Sequence, residues 1–342
     1  MENDRSAGVL ARYAGLSEKP QMDPLLDMLR TIRLTGGIFL EADFTAPWCV
    51  TSEITADDFL PHIAVPAHVV AYHYVVEGRV ELLIEGEPPR GAEAGSIIVF
   101  PRNDRHRVGS ELGSAAASMD HLIQPGDSGN LARIRHGGGG AATRILCGYL
   151  GSDTPNHPIF AALPRVMTLD VANGASGNWI EASIRYAANE LESKRTGSLS
   201  VLSKLAELLF VEAVRRYADT TPCGQSGWLS GLRDPVIGRA LALAHGQATR
   251  RWTSVELARE AGLSRSAFTD RFIGLVGIPP IRYLALWRLQ SAADRLRDTT
   301  DTISRIAYDS GYESEAAFSR AFKRAFGLPP AAWRRQALAS AA

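Results

Sequence analysis

Ala267-Phe-Thr-Asp-Arg-Phe272, followed by Gly277-Ile-Pro-Pro280, returns fifty positions later as Ala317-Phe-Ser-Arg-Ala-Phe322, followed by Gly327-Leu-Pro-Pro330. Upstream, Ala258 and Gly262 match Ala307 and Gly311 with one residue of slip. Self-similarity at a fixed spacing marks one supersecondary unit written twice. Each copy spells a helix, a tight turn holding glycine, and a second helix. In the first copy Thr253-x-x-Glu256 is a capping box that starts a helix, with Val255, Leu257, Ala258 and Ala261 as its apolar positions. Gly262 permits the positive φ of the turn. Ser264 caps the next helix, whose Phe268, Phe272 and Leu275 share one face. In the second copy Asp301 is expected to cap the first helix, Ile303, Ile306 and Ala307 to pack, Gly311 to turn, and Ser314 to cap a helix with Phe318, Phe322 and Phe326 inward. Asp234-Pro235 starts a leading helix with proline at its first position. A longer helix from Pro280 to about Arg297 joins the copies and spans roughly 27 Å.

The side chains opposite the phenylalanines are the candidate contacts to an outside partner. They are Arg265, Ser266, Thr269 and Asp270 in unit one, and Ser314, Glu315, Ala316, Ser319, Arg320 and Lys323 in unit two. Two such helices at this separation suit successive major grooves on one face of double-stranded DNA, about 34 Å apart. Arg320 matches guanine, Glu315 can accept from cytosine, and the small Ser, Thr and Ala positions allow close approach. Lys323, Arg324, Arg251 and Arg282 suit phosphates. The plainer reading is a helical bundle with solvated arginines, but matched cores in a duplicated unit argue against it.

Charge divides the chain in the same place. From Trp228 onward there are 17 Lys and Arg against 10 Asp and Glu, which leaves 20 against 27 of the 37 of each sign for the remainder. A basic C-terminal part on an acidic body points to a polyanion for that part alone. With 342 residues, 45% of them apolar, the chain can bury two or more cores. Its apolar run Leu205–Val214 is broken by Glu207 and Glu212 and is too short to cross a membrane. Three scattered cysteines, Cys49, Cys147 and Cys223, suit reduced thiols, and the polar start lacks a signal-peptide layout. These features place the protein in the cytoplasm, away from membranes.

Before the repeat, His73-Tyr-Val-Val-Glu-Gly78, Val80-Glu-Leu-Leu-Ile84 and Ser96-Ile-Ile-Val-Phe100 are strands of an antiparallel barrel or sandwich. Ala115–Thr143, with Gly137–Gly140 in succession, is expected as a flexible loop. Trp179, Ile180, Ile184, Ala187 and Leu191 keep helical spacing, as do Leu202, Leu205, Leu209, Val211 and Val214. The predicted fold class is therefore α+β and multidomain: 1–176 sheet domain, 177–218 helical segment, 219–233 linker, and 234–336 an all-α domain with two helix-turn-helix units.

Residues 234–335 resemble the DNA-binding domain of the AraC/XylS family of transcription regulators. Glu256-Leu-Ala-Arg-Glu-Ala-Gly-Leu-Ser264, Ile303-Ser-Arg-Ile-Ala307, Ser310-Gly-Tyr312 and Phe318-Ser-Arg-Ala-Phe-Lys-Arg-Ala-Phe-Gly-Leu-Pro-Pro330 carry the likeness. Acidic Asp270 stands where unit two has Arg320, which implies that unit one contributes less to base reading or affinity. The region 25–217 resembles, more loosely, the cupin-like sensor domain fused to such DNA-binding domains. Ala46-Pro-Trp48, His73–Gly78 and Ala94-Gly-Ser-Ile-Ile-Val-Phe-Pro-Arg-Asn-Asp-Arg-His106 carry that likeness, and Leu146–Tyr149, Pro158–Pro164 and Trp179–Tyr217 fit its return strand and dimerising helices.

Metal-binding cupins carry a His-x-His pair, a glutamate and a distant histidine. Here His106 matches the distant position, while Val70-Ala71-Tyr72 stands where the pair is expected. His62, His68 and His73 lie near enough to substitute, yet they read better as lining or surface residues, so no metal and no cofactor is assigned. Trp48, Tyr72, His73 and His106 are the candidate contacts to a small-molecule effector in the barrel mouth. The 177–218 helices suit packing on their own domain or a homodimer interface equally well. The resemblance implies an effector-responsive regulator of DNA binding, with RNA polymerase as a further partner, and not an enzyme. The rival is a metal-dependent cupin dioxygenase with an accessory DNA-binding tail, which needs a full ligand triad that the sequence lacks.

Overall fold

The computed structural model describes residues 23–32, 34–59, 65–124, 132–152, 154, 157–170, 179, 182–183, 186, 198–220 and 227–340. The chain divides into two compact units. One is Ile32–Leu229; the other is Ser230–Ala342 together with the segment that ends at Thr31. In the second unit α1 (Pro24–Thr31) has Asp23 as its cap, with Oδ1 accepting from the amides of Leu25 and Leu26.

The first unit is built of two facing sheets. Strands β1 (Thr35–Thr45), β2 (Cys49–Ser52), β3 (His68–Glu77), β4 (Arg79–Ile84), β5 (Arg90–Glu93), β6 (Ser96–Phe100), β7 (His106–Gly109), β8 (Ala117–Ser118), β9 (Ala132–Gly137) and β10 (Ala142–Ser152) are followed by the short helix α2 (Pro158–Ala162) and by β11 (Met167–Asp170). The sheets run β11-β6-β3-β10-β1-β9 and β5-β4-β7-β2-β8. Most pairs are antiparallel, as expected, but β1–β9 and β2–β8 are parallel. Between the sheets lie Leu40, Phe44, Trp48, Val50, Val75, Leu82, Ile84, Ile98, Phe100 and Ile145, all nearly inaccessible. Alternation alone predicts a wet outer face, yet Ser96–Phe100 is buried on both sides. The cover is α3 (Ser198–Thr220), whose buried Ala206, Phe210, Ala213 and Val214 follow one helical stripe.

The expected loop over Ala115–Thr143 is partly strand. β8 and β9 both add edges, because Val50 pairs with Ala117 and Leu40–Thr45 pairs with Ala132–Gly137. Ala132 and Ile134 of β9 face the core, but only Ile134 is a large apolar residue, so the alternation is a weak signal. The glycine run is a close approach of backbones and not a linker: at Gly137 (φ +135°) a Cβ would stand 1.9 Å from the Thr45 carbonyl oxygen. Most of the helix expected over Trp179–Leu191, the centre of the expected linker, and His62 lie outside the described residues.

The second unit continues with α4 (Trp228–Arg233), α5 (Pro235–Gly246), α6 (Ser254–Glu260), α7 (Arg265–Val276), α8 (Pro280–Asp298), α9 (Ile303–Asp309), α10 (Glu315–Phe326) and α11 (Pro330–Ser340). Two small cores hang on α8. Ile237, Leu241, Leu257, Phe268, Phe272, Tyr283 and Trp287 are buried on its first half. Leu289, Ala293, Leu296, Ile306, Phe318 and Phe322 cluster on its second half. Helix α1 belongs here too, with Met28 1% and Leu29 7% exposed and its carboxylate Asp27 3.7 Å from buried His245. A C-terminal fragment beginning at the expected boundary therefore lacks part of its own cover.

Candidate nucleic-acid interface

The two helix-turn-helix units are closed by their own backbone chemistry. Thr253 and Glu256 cap reciprocally at 2.8 and 3.2 Å, and Ser264 and Ser314 accept from the amides of Ala267 and Ala317. Gly262 (φ +72°) and Gly311 (φ +83°) take the left-handed turn conformation that other residues resist. One expected cap moves by a residue. The cap of α9 is Thr302, whose hydroxyl accepts from Arg305 at 3.2 Å. Asp301 is instead held by Arg295 at 2.7 Å, which also reaches Asp309 at 2.9 Å and so ties α8 to α9.

Each recognition helix turns its phenylalanines inward and its candidate residues out. On α7, Arg265, Ser266 and Asp270 are exposed and Thr269 is half-buried. On α10 and its cap, Ser314, Glu315, Ala316, Arg320 and Lys323 are exposed and Ser319 is half-buried. All ten predicted residues thus lie on two outward faces at the ends of α8, whose 19 residues span roughly 28 Å.

The arginines of this unit fall into two groups. Arg271 grips Asp234 at 2.6 and 3.1 Å, fixing α7 to the start of α5. Arg288 donates to the carbonyls of Ala248 and Arg250, Arg297 pairs with Asp294, and Arg334 donates to Leu296 and Asp301. In contrast, Arg265, Arg320, Lys323, Arg324 and Arg282 have no ion pair among the described residues. Arg251 pairs with Glu313 at 3.4 Å, both exposed. The architectural arginines Arg271, Arg288 and Arg295 carry no motif of their own, and sequence reading missed them. Their signal is a carboxylate or carbonyl partner on another element, some forty residues away for Arg271 and Arg288 and on the next turn and helix for Arg295.

The four candidate effector residues of the first unit separate. Trp48, His73 and His106 are 2%, 4% and 2% exposed. Trp48 stacks on Phe44 at 3.9 Å and His106 on Phe100 at 3.6 Å, so the barrel interior is solid at this point. Tyr72 lies on the opposite, outer face of β3, between inward Ala71 and His73. At the mouth, an open groove is lined by Thr51, Glu85, Arg105 and Arg107, with His106 at its floor.

The buried histidines form a chain whose hydrogens are fixed by its end. His106 Nδ1 lies 2.8 Å from the Asp104 carbonyl oxygen, which only accepts, so Nδ1 carries the proton. Its Nε2 must then accept from His73 Nε2 at 2.8 Å. His73 Nδ1 in turn accepts from the Cys147 thiol at 3.0 Å. Both rings are neutral. Burial drives the His73 pKa well below the imidazole range, with His106 adding to it, and burial lowers His106 to about 4. Burial pushes the Cys147 thiol up to about 12.

This set does not fit the resident metal that a cupin fold implies. The two Nε2 atoms spend their lone pair and proton on each other, and Cys147 sits on the far nitrogen of His73, where it cannot share an ion with His106. No glutamate joins them, and among the described residues no three ligating side chains converge.

Comparison with known proteins agrees with this architecture. A cupin family model matches residues 23–219, more than half of the chain, and a helix-turn-helix domain model matches residues 257–336. A putative AraC-like transcription regulator of Streptomyces lividans is 28% identical over 92% of this chain and 98% of its own length. The HTH-type transcriptional regulator MtrA of Neisseria gonorrhoeae is 27% identical over 92% and 99%. Among solved structures, the DNA-binding domain of AdpA in complex with a target DNA is 29% identical, covers 31% of this chain and 96% of that one, and has a TM-score of 0.30. A cupin-type sheet unit carried with a duplicated helix-turn-helix unit defines a class of DNA-binding transcription regulator. The chain belongs to that class, the AraC-type regulators with an N-terminal cupin domain. The dioxygenase alternative yields to it, since the full-length relatives are named as regulators. No single described helix is long and apolar enough to cross a membrane.

Proposed function

We propose that this regulator reads promoter DNA mainly through α10, with Arg320 bidentate to guanine, Glu315 accepting from a cytosine amino group, and Lys323, Arg324, Arg251 and Arg282 on phosphates. Ser266, Thr269, Ala316 and Ser319 permit close approach, Arg265 supplies the cation of α7, and Asp270 opposes the backbone there. Ser314 both caps α10 and offers its exposed hydroxyl to the duplex. The observation that carries this reading is the contrast among the arginines: those facing inward are paired, while the cations on the two recognition faces have no ion pair among the described residues. An unpaired cation on a rigid helix is available to a polyanion at little cost.

The division of labour follows the expected domains, except that α1 of 1–176 completes the DNA-binding unit: the rest of 1–176 senses a small molecule, 177–218 joins two chains into a homodimer, 219–233 links, and 234–336 binds DNA in the cytoplasm, where RNA polymerase is within reach. Val201 and Leu208, 39% and 49% exposed on one side of α3, support the dimer. The test is retention of genomic fragments by the full chain across a salt series, beside Arg320→Ala. The full chain is used because α1 covers part of the DNA-binding unit. Selective retention of one promoter fragment, lost in Arg320→Ala by about 5- to 150-fold (about 1–3 kcal/mol), is the expected outcome. Equal retention of all fragments, untouched by the substitution, overturns it.

A further inference from the structure

The outer face of the six-stranded sheet and α3 do not close completely on one another. A gap of about 30 Å³ remains between Tyr72, Tyr74, Val99 and Leu146 on the strands and Leu209 and Phe210 on the helix. Its walls are apolar but for two phenols, so it holds no charged anchor and gives water too few partners to be wet. The floor is kept flat by Gly148: a Cβ there would stand 2.2 Å from the ring of Tyr72, which lies across it. The centre of the barrel offers nothing comparable, because Trp48, Phe44, Phe100 and His106 fill it in stacked pairs.

We propose that this gap is the effector site and that its ligand is an uncharged, apolar small molecule, aromatic or branched aliphatic, bound between the sheet and α3. The proposal rests on the effector-responsive reading above and moves the site from the barrel mouth to the sheet–helix seam. The size of the gap gives the mechanism. A ligand changes a conformational equilibrium only if it favours one state. A pocket equally open in both states would admit the ligand and change nothing, whereas a gap of this size admits it only when α3 moves outward. The face of α3 opposite the gap carries exposed Val201 and Leu208. Ligand entry on one side of the helix therefore displaces the apolar stripe on the other, the one offered to a second chain. The walls lose contacts in the empty state, which supplies the drive for apolar filling. Of the four effector candidates in the sequence, only Tyr72 lines the gap.

The experiment is a fluorescence titration of the full chain, without DNA, with N-phenyl-1-naphthylamine as the apolar probe. Ala206, which also lines the gap, is replaced by Phe to fill it, and Leu209 by Ala to enlarge it. Arg107→Ala in the mouth groove is the control. Saturable binding that weakens at least tenfold in Ala206→Phe, tightens severalfold in Leu209→Ala and is unchanged in Arg107→Ala is the expected result. If Ala206→Phe fails to fold, the Leu209→Ala and Arg107→Ala pair decides. Absence of saturable binding, or binding that follows Arg107 and ignores Leu209, overturns the site. Because no DNA is present, that failure leaves the Arg320 test of DNA reading intact.

Discussion

The sheet unit and the DNA-binding unit treat their polar side chains in opposite ways. In the sheet unit the chemistry-bearing residues turn inward and consume one another: Cys147, His73, His106 and the Asp104 carbonyl make a chain in which all four ring nitrogens and the thiol proton are spent. In the DNA-binding unit the architectural arginines are consumed in the same way, but Arg265, Arg320 and Lys323 are held out on helices whose other face is locked by Phe268, Phe272, Phe318 and Phe322. The difference teaches that residue type alone does not mark a site. Three histidine and cysteine side chains at the heart of a cupin look like a metal or ligand centre, and they are structure. Five bare cations on a small helical domain look like ordinary surface, and they are the ones proposed above to meet DNA.

The sharpest break of that comparison is His73→Ala. It strands the Cys147 thiol and His106 Nε2 in the core and opens a cavity beside Phe100. Two orphaned polar groups and a void together lower stability by about 3 kcal/mol, read by chemical denaturation. Below the unfolding transition the affinity for DNA should stay within about twofold. Loss of DNA binding with the sheet unit still folded would mean that the histidine chain belongs to function after all.

Acid probes the same chain without mutation. A free imidazole titrates near 6.5 and His106 in the fold at about 4. Between those values the unfolded chain takes up a proton that the fold refuses, so stability is complete above about pH 6.5 and falls as pH drops toward 4. At about 1.4 kcal/mol per unit the loss from this ring is about 3 kcal/mol, and His73 acts in the same direction. Melting midpoints between pH 7.5 and 4.5 should show it. His106→Asn, which keeps a donor for the Asp104 carbonyl, should flatten the profile.

How far each region was legible follows from the same contrast. The DNA-binding unit could be read almost residue by residue, since caps, turn glycines and phenylalanine spacing are local signals. The Asp301 cap slipped to Thr302, because Arg295, on the helix before it, claimed the carboxylate, and Val255, read as an apolar position of the first helix, is 57% exposed. In the sheet unit the strands that alternate were legible. Strand β9 was not, because Ile134 is its only large inward residue, beside small Ala132, and its partner β1 lies some ninety residues away in sequence. Nor could sequence say which face of β3 mattered. His73 and Tyr72 are neighbours in the chain and point into different environments, one sealed between sheets and the other under α3. The glycines at 137–140 looked like freedom, yet Gly137 and Gly140 are close approaches to the backbone of Thr45 and Ala46 on that edge.

The smallest predicted effect compares the two recognition helices themselves. The fifty-residue offset sets Arg265 against Glu315, Thr269 against Ser319 and Asp270 against Arg320. The turn that carries Arg320, the proposed reader of guanine, in unit two thus carries an exposed carboxylate in unit one, with no ion pair among the described residues to neutralise it. Facing a phosphate backbone, that charge is repulsive but well solvated, and screening limits it to about 0.5–1 kcal/mol. Asp270→Ala should therefore tighten binding by about two- to fivefold at low salt, and equally for specific and unrelated DNA, because a phosphate term carries no sequence information. The gain should shrink as salt rises. A gain confined to the specific fragment would place Asp270 against a base edge and make unit one a reader equal to unit two. No gain at low salt would lift α7 off the duplex altogether, leaving α10 to bind alone.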